Sequence, residues 1–247
     1  MQKDNCFVLI RGLLREARHW GEFTDDLRQR FPNARILTPD LPGNGRLHRL
    51  TSPNTIAAMT EALREQIKVG IPVDLIALSM GGMVAIDWMA RYPDEIRSSV
   101  LINTSARPLS PFYRRLRWQS YPRLISMLCH SKQQQEQDIL SLTSNRHRGD
   151  SELLSNWRQW QRQCPVTSYS ARNQLRAAAN FTLPPRPPHP MLIVASGGDR
   201  LVDCRCSRQL YQAWRTDYRQ HDTAGHDLAL DEPAWLADSI KQWLSIH

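Results

Sequence analysis

Short apolar runs alternate with amphipathic stretches along most of this chain. Cys6-Phe7-Val8-Leu9-Ile10 is apolar throughout and stops at Arg11-Gly12, the pattern of a buried strand. Trp20, Phe23, Leu27 and Phe31 then recur at spacings of three and four, which predicts a helix ended by Pro32-Asn33. Ala34-Arg35-Ile36-Leu37-Thr38 reads as the next strand, and Pro39-Asp40-Leu41-Pro42-Gly43-Asn44-Gly45 as a loop. Ser52-Pro53-Asn54 caps a helix that carries Ile56, Met59, Leu63 and Ile67. Val73 to Leu78 is a strand. The helix after it carries Met83, Ile86, Met89 and Ala90 and ends near Tyr92-Pro93, and Ser99-Val100-Leu101-Ile102-Asn103 is a strand again. This alternation predicts an α/β fold with a mainly parallel central sheet flanked by helices.

The alternation breaks at Ala106-Arg107-Pro108. From there to about Leu183 no strand pattern appears, and Arg, Gln, Ser and Trp dominate several short helical segments. The Pro-dense stretch from Pro184 to Pro190 closes this region, because proline neither donates to a ladder nor continues a helix. The strand pattern resumes at Met191-Leu192-Ile193-Val194-Ala195. A helix over about 204–215, a short strand over about 217–221 and a last helix from Pro233 complete the chain. The expected organisation is a core domain of residues 1–106 and 187–247, interrupted by a helical lid at 107–186. Insertions of that size at the top of a sheet commonly cover a substrate.

Charge sharpens this division. The net charge of +8 invites a nucleic-acid reading, but residues 107–186 hold 13 Lys and Arg against 4 Asp and Glu, while the rest of the chain is almost neutral. Neither a basic stripe across the body nor a nucleic-acid-binding module is visible, so no nucleic-acid partner is expected. The N-terminal apolar run is too short for a signal-peptide core and no stretch approaches a membrane span, so a cytoplasmic protein is expected. Five cysteines without a framework read as reduced thiols. Cys204 and Cys206 lack the partners of a zinc site, so neither metal nor cofactor is expected.

The stretch that can carry chemistry is Leu78-Ser79-Met80-Gly81-Gly82, where an apolar strand meets a helix at one hydroxyl. Such a turn exposes the serine oxygen above the N–H groups of a helix N-terminus. Ala77 and Gly81 supply the small residues the close backbone crossing needs, although the fuller pattern has glycine at both places. The competing reading makes Ser79 a simple helix cap. A serine nucleophile needs a base, and the base needs a carboxylate. In a parallel sheet, residues that follow different strands converge on one edge. Ser79 follows the 73–78 strand, Asp199 the 191–195 strand and His226 the 217–221 strand, in the chain order Ser, Asp, His. Asp203 is the competitor for the acid but reads as a helix cap. His221 is the rival base but has no turn to aim it. Asn103 sits where an acid would also reach the histidine, but has no charge. Donors for an oxyanion are expected from the backbone N–H groups of Met80 and of Leu13, whose loop Gly12 allows to pass close.

With these pieces in view, the chain resembles the α/β-hydrolase superfamily, in particular its small lid-containing serine esterases of the kind that demethylate pimeloyl-acyl carrier protein. Arg11-Gly12, the 40–45 loop, Leu78 to Gly82, Gly198-Asp199-Arg200-Leu201-Val202 and Gly225-His226-Asp227 carry the resemblance, over about 6–105 and 190–247. It implies an eight-strand type of sheet whose first strands are missing here, a Ser79–His226–Asp199 triad, and Leu13 and Met80 as oxyanion donors. Two positions depart from the pattern: Ala77 stands for glycine, and Arg11 for the histidine usual before the first-loop glycine. Arg11 either offers a cation to an anionic substrate or pairs with an acid such as Asp40.

The resemblance implies cleavage of carboxylic esters through an acyl-enzyme, with a small-molecule acyl ester as substrate. Serine at position 79 argues against the relatives that attack through aspartate. The basic lid adds an alternative, an esterase or thioesterase for acyl chains held by acyl carrier protein or coenzyme A. On the predicted helix Arg158 and Arg162 are i, i+4 neighbours, as are Arg172 and Arg176, and each pair would share a face toward an acidic partner. A solvated basic face is the plainer reading of the same charges. A third reading is a catalytically silent binding protein with this fold, Arg11 and Ala77 being the signs of drift.

Overall fold

A computed structural model describes residues 5–127 and 129–247. The first four residues, part of the stretch read as too short for a signal peptide, lie outside them. Six strands form one fully parallel sheet: β1 (Cys6–Ile10), β2 (Arg35–Leu37), β3 (Val73–Leu78), β4 (Ile96–Ile102), β5 (Met191–Ser196) and β6 (Asp217–His221). Their spatial order is β2-β1-β3-β4-β5-β6, so β1 and β3 lie side by side near the centre and every strand ends on the same edge. The sheet thus has six strands among the described residues rather than the eight of the fuller type.

Alternate residues of each strand feed two cores, as a two-residue period requires. On one face Val8, Ile10, Leu75, Ala77, Leu101 and Ile193 pack against α2 (Ile56–Arg64), α3 (Met80–Arg91) and α9 (Arg205–Trp214). On the other, Phe7, Leu9, Ile76, Leu78, Val100, Leu192 and Val194 pack against α1 (Phe23–Arg30) and α11 (Pro233–Leu244). Burial on both faces is what makes β1 and the Met191–Ala195 part of β5 read as unbroken apolar runs.

Four boundaries differ from the sequence pattern. The Trp20–Phe31 periodicity is not one helix: a 3-10 turn over Ala17–Trp20 breaks at Gly21, whose φ of 50° a helix cannot contain, and α1 then begins at Phe23. The cap of α2 is Thr55, whose hydroxyl accepts from the Ala58 N–H, not Ser52-Pro53-Asn54, and the helix ends at Arg64. β4 starts three residues early, at Ile96, because Arg97 and Ser98 are held there by the buried Asp74 of β3. A short helix, α10 (Leu228–Asp231), follows the loop that carries His226.

Between β4 and β5 lie the helices α4 (Phe112–Arg115), α5 (Tyr121–Met127), α6 (Lys132–Thr143), α7 (Ser151–Gln163) and α8 (Ser168–Asn180). The base of this insertion is pinched shut: Arg107 N–H donates to Phe181 and Leu183 N–H donates back to Arg107. Its helices also hold the core by buried charge. Arg15 of the β1 loop pairs with Glu136 on α6 at 2.7 Å and stacks on Trp157 of α7 at 4.7 Å.

The two-faced core makes a direct expectation. Leu192→Ala, at a site with no exposed surface, is expected to lower unfolding free energy by about 2–5 kcal/mol in urea denaturation. Ile246→Ala, at a site 75% exposed, is expected to change it by less than about 0.5 kcal/mol.

Candidate active site

The edge where the strands end gathers Ser79, Asp199 and His226. Ser79 sits between β3 and α3 with φ 58° and ψ −119°, a conformation that a side chain normally avoids. Its backbone is held from both sides. Its N–H donates to Ile102 at 2.8 Å, and its carbonyl accepts from the Thr104 hydroxyl at 2.8 Å. The helix beyond can start only because Gly81 has no side chain: a Cβ there would lie 2.3 Å from the Ile10 carbonyl and 2.7 Å from that of Arg11. Gly12 is similarly close, and a Cβ on it would sit 3.0 Å from that of Ser79. The Ser79 hydroxyl makes no capping bond to α3, so it is not used as a helix cap. Ser79 is half-buried, whereas Asp199 and His226 are buried.

The carboxylate of Asp199 is fully engaged. One oxygen accepts from the N–H groups of Leu201 and Val202, at 2.7 and 2.9 Å, and the other lies 2.7 Å from His226 Nδ1. That contact fixes the ring and leaves Nε2 as its free edge. Burial is the largest influence on the imidazole and pulls it down. The charge and hydrogen bond of Asp199, aided by Asp227 and opposed by Arg11, outweigh it, so His226 lies above the ordinary value of 6.5. The fold therefore favours the charged ring; that stabilisation is complete below 6.5 and is lost as pH rises through the raised value.

Asp203 is not a partner of histidine and not the cap of α9, which is Cys204; it lies one residue earlier, accepts from the Arg205 N–H at 3.0 Å and pairs with the Arg205 guanidinium. His221 is turned to its own loop, its Nδ1 accepting from the Ala224 N–H at 3.1 Å. The amides of Leu13 and Met80 carry no protein acceptor among the described residues. The neighbouring Leu14 N–H, by contrast, donates to Gln174 of α8.

Arg11 pairs with an acid, one of its two expected roles, whereas Arg158 and Arg162 sit differently from expectation. Arg11 is only 4% exposed, and the acid it pairs with is Asp227, not Asp40. Asp40 instead receives the N–H groups of Ala17 and Arg46. Arg158 and Arg162 do not act as a pair. The Arg158 guanidinium crosses to α6, donating to the Gln133 carbonyl and the Gln137 side chain, while Arg162 is exposed.

Other residues around the site carried weaker signals. Asn103, passed over for lack of charge, binds the carbonyl of His226 at 2.8 Å and the hydroxyl and N–H of Ser196. Asp231 takes the Gly225 N–H, the Asn145 N–H and the Ser144 hydroxyl, joining the histidine loop to the insertion. Arg117 of the insertion donates to the Asp199 carbonyl. Asn103, by its place at the end of a strand, and Asp227, directly after His226, are the ones with a signal in the chain itself. Among the described residues no cluster of His, Cys, Asp and Glu is gathered to hold a metal ion.

Comparison with known proteins is consistent with this architecture. Residues 7–239 match the alpha/beta hydrolase family. The chain belongs to that family. A pimeloyl-[acyl-carrier protein] methyl ester esterase of Neisseria meningitidis serogroup B is 37% identical over 92 residues, 36% of this chain and 34% of that one. The match therefore spans about a third of that relative's length. A homoserine O-acetyltransferase of Pelobacter propionicus is 38% identical over 71 residues, 27% of this chain and 19% of the relative. Among solved structures, the enol-lactonase of Burkholderia xenovorans LB400 superposes with a TM-score of 0.79 at 20% identity, covering 98% of this chain and 92% of that one. That likeness is one of fold.

The crossing at Gly81 is testable without a substrate. Gly81→Ala must displace backbone and is expected to cost about 1–3 kcal/mol of stability. Gly149→Ala, whose Cβ would meet nothing within 4 Å, is expected to stay within about 0.5 kcal/mol of the parent in the same denaturation experiment.

Proposed function

We propose that this chain is a serine hydrolase of carboxylic esters, with Ser79 as nucleophile, His226 as base and Asp199 as the acid that orients it. The observation that carries the reading is the 2.7 Å contact of Asp199 with His226 Nδ1, made by a carboxylate whose other oxygen is already tied to two backbone N–H groups. It lies on the same sheet edge as a serine that is held in a strained turn and not used as a cap.

In this reading His226 Nε2 takes the Ser79 proton as Oγ bonds to the ester carbonyl carbon. The carbonyl oxygen becomes an oxyanion held by the Leu13 and Met80 N–H groups. Collapse breaks the bond to the alcohol oxygen, which leaves with the proton from His226 and leaves the acyl group on Ser79. Water, deprotonated by the same imidazole, then releases the acid and restores the hydroxyl. The proton on Asp199's side of the ring never needs to leave it.

Wild-type protein is expected to hydrolyse p-nitrophenyl acetate and butyrate. Ser79→Ala is expected to cut kcat on the order of 10⁶-fold, as removal of a triad nucleophile does elsewhere. Because His226 must be neutral to act, kcat/KM is expected to fall on the acid side through a midpoint above 6.5. Ester turnover undiminished in Ser79→Ala would refute the assignment. A wild type inert to esters would leave the third reading, a binding protein with this fold.

A second reading keeps the chemistry and specifies the substrate as an acyl chain on acyl carrier protein or coenzyme A. Its support is the basic insertion at 107–186, acting as a lid, together with the name of the Neisseria relative. Arg162, Arg172 and Arg176 are exposed there, so they and not Arg158 are the docking candidates. Arg162→Glu with Arg172→Glu is expected to raise KM for an acyl-carrier substrate and leave KM for p-nitrophenyl butyrate unchanged. Equal effects on both substrates would count against docking. A cytoplasmic setting belongs to the same proposal and is supported by the free thiols of Cys6, Cys129, Cys164, Cys204 and Cys206. No described helix is long and apolar enough to cross a membrane.

A further inference from the structure

Arg11 and Asp227 lie 216 residues apart in the chain and meet in a two-pronged contact. Arg11 Nη1 reaches Asp227 Oδ1 at 3.1 Å and Nη2 reaches Oδ2 at 2.5 Å, with both side chains 4% exposed. Each partner stands next to a group that the hydrolase reading needs. Arg11 is two residues before Leu13, and Asp227 directly follows His226. The guanidinium is also stacked on Trp20, 4.8 Å from the ring centroid. The carbonyl of Arg11 belongs to the backbone against which Gly81 crosses. From the other side, the Asp227 N–H is tied to the Thr143 carbonyl at the end of α6.

Stability alone is a poor explanation for this pair. A buried ion pair is often no better than an apolar pair of the same volume, because both charges lose their water. Here the desolvation is incompletely offset, since Arg11 Nε is buried with no acceptor among the described residues. What a planar fork on a carboxylate does supply is geometry: two parallel bonds fix distance and relative orientation together.

We propose that the Arg11–Asp227 pair is a positioning element that locks the Leu13 loop to the His226 loop, so that the oxyanion donor and the base keep one register across Ser79. The proposal rests on the hydrolase reading above. Both side chains are buried, so they act through the loops they join. The pair also sets opposite charges beside the imidazole. The charged groups that act most on His226 are Asp199 from the loop after β5, Asp227 beside it in sequence and Arg11 from the loop after β1. Arg117 of the insertion binds the carbonyl of Asp199 rather than the ring, and the first turn of α3 carries no charge.

The test uses the full chain with Arg11→Gln, Asp227→Asn, the double variant, and Arg11→Lys, which keeps the charge but loses the fork. Two readouts are needed: the His226 titration midpoint by NMR, assigned through His226→Gln, and kcat and KM for p-nitrophenyl butyrate across pH. Asp227→Asn is expected to lower the midpoint and move the acid limb of kcat/KM down; Arg11→Gln is expected to move both up. The double variant and Arg11→Lys are expected to keep the midpoint near that of the wild type. In both, kcat is expected to fall by roughly tenfold to a hundredfold with KM little changed, as small misplacements of reacting groups do.

Midpoints that move in the same direction in both single variants, or wild-type kcat in Arg11→Lys or in the double variant, would overturn the proposal. If the single variants do not fold, the two charge-balanced variants decide it; their failure to fold as well would make the pair a stability element and refute positioning. Wild-type protein with no ester turnover overturns the hydrolase reading and this proposal with it. Wild-type turnover with unchanged kcat in Arg11→Lys overturns this proposal alone.

Discussion

The contact on which this structure depends is the crossing of α3 over the end of β1, at Gly81 against the carbonyls of Ile10 and Arg11. Backbone meets backbone there, with no room for a single carbon atom between. The close approach bends the chain at Ser79 into φ 58° and brings the Gly12–Leu13 loop against the serine. A strained residue of this kind costs on the order of 1–3 kcal/mol and persists only where its surroundings over-determine it. Here they do: the Ser79 N–H is bound by Ile102, its carbonyl by Thr104, and the flanking β3 and α3 are buried in the apolar layer that α2 and α9 complete.

The second layer of organisation is polar, and it joins loops that the sheet alone would leave separate. Asn103 at the end of β4 holds both β5, through Ser196, and the carbonyl of His226. Asp231 holds the histidine loop to the segment after α6, and Arg200 of the Asp199 loop donates to the carbonyls of Ser141 and Ser144. The insertion is therefore not a flap resting on apolar contacts. It is fastened to the loops that carry Asp199 and His226, and through Arg15 and Gln174 to the loop that carries Leu13. The insertion and the loops proposed to carry the chemistry thus share these polar contacts.

Much of this was legible in the chain, for a physical reason. Strands buried on both faces are mostly apolar, so Cys6–Ile10 and Val73–Leu78, the latter broken only by Asp74, stand out with their ends intact. Residues that follow parallel strands must share an edge, so Ser79, Asp199 and His226 could be brought together before any geometry was known. What was not legible depended on partners distant in sequence. Arg11 reads as a cation near the first loop, and nothing local says that its acid is 216 residues away. Arg158 and Arg162 share helical spacing, yet α6 takes the first and leaves the second in solvent, a difference that only the packing of α6 on α7 determines. The early start of β4 likewise depends on Asp74 reaching across to Arg97 and Ser98, a pairing invisible in the polar run itself.

In the proposed hydrolase the hydroxyl held in that turn is the nucleophile. The most direct measurement is to treat the folded protein with a fluorophosphonate, record its intact mass, and map the modified peptide. One adduct per chain is expected, on Ser79, formed in the wild type and lost on acid denaturation before treatment. Stoichiometric labelling at any other residue, or none on a protein that hydrolyses esters, would contradict it.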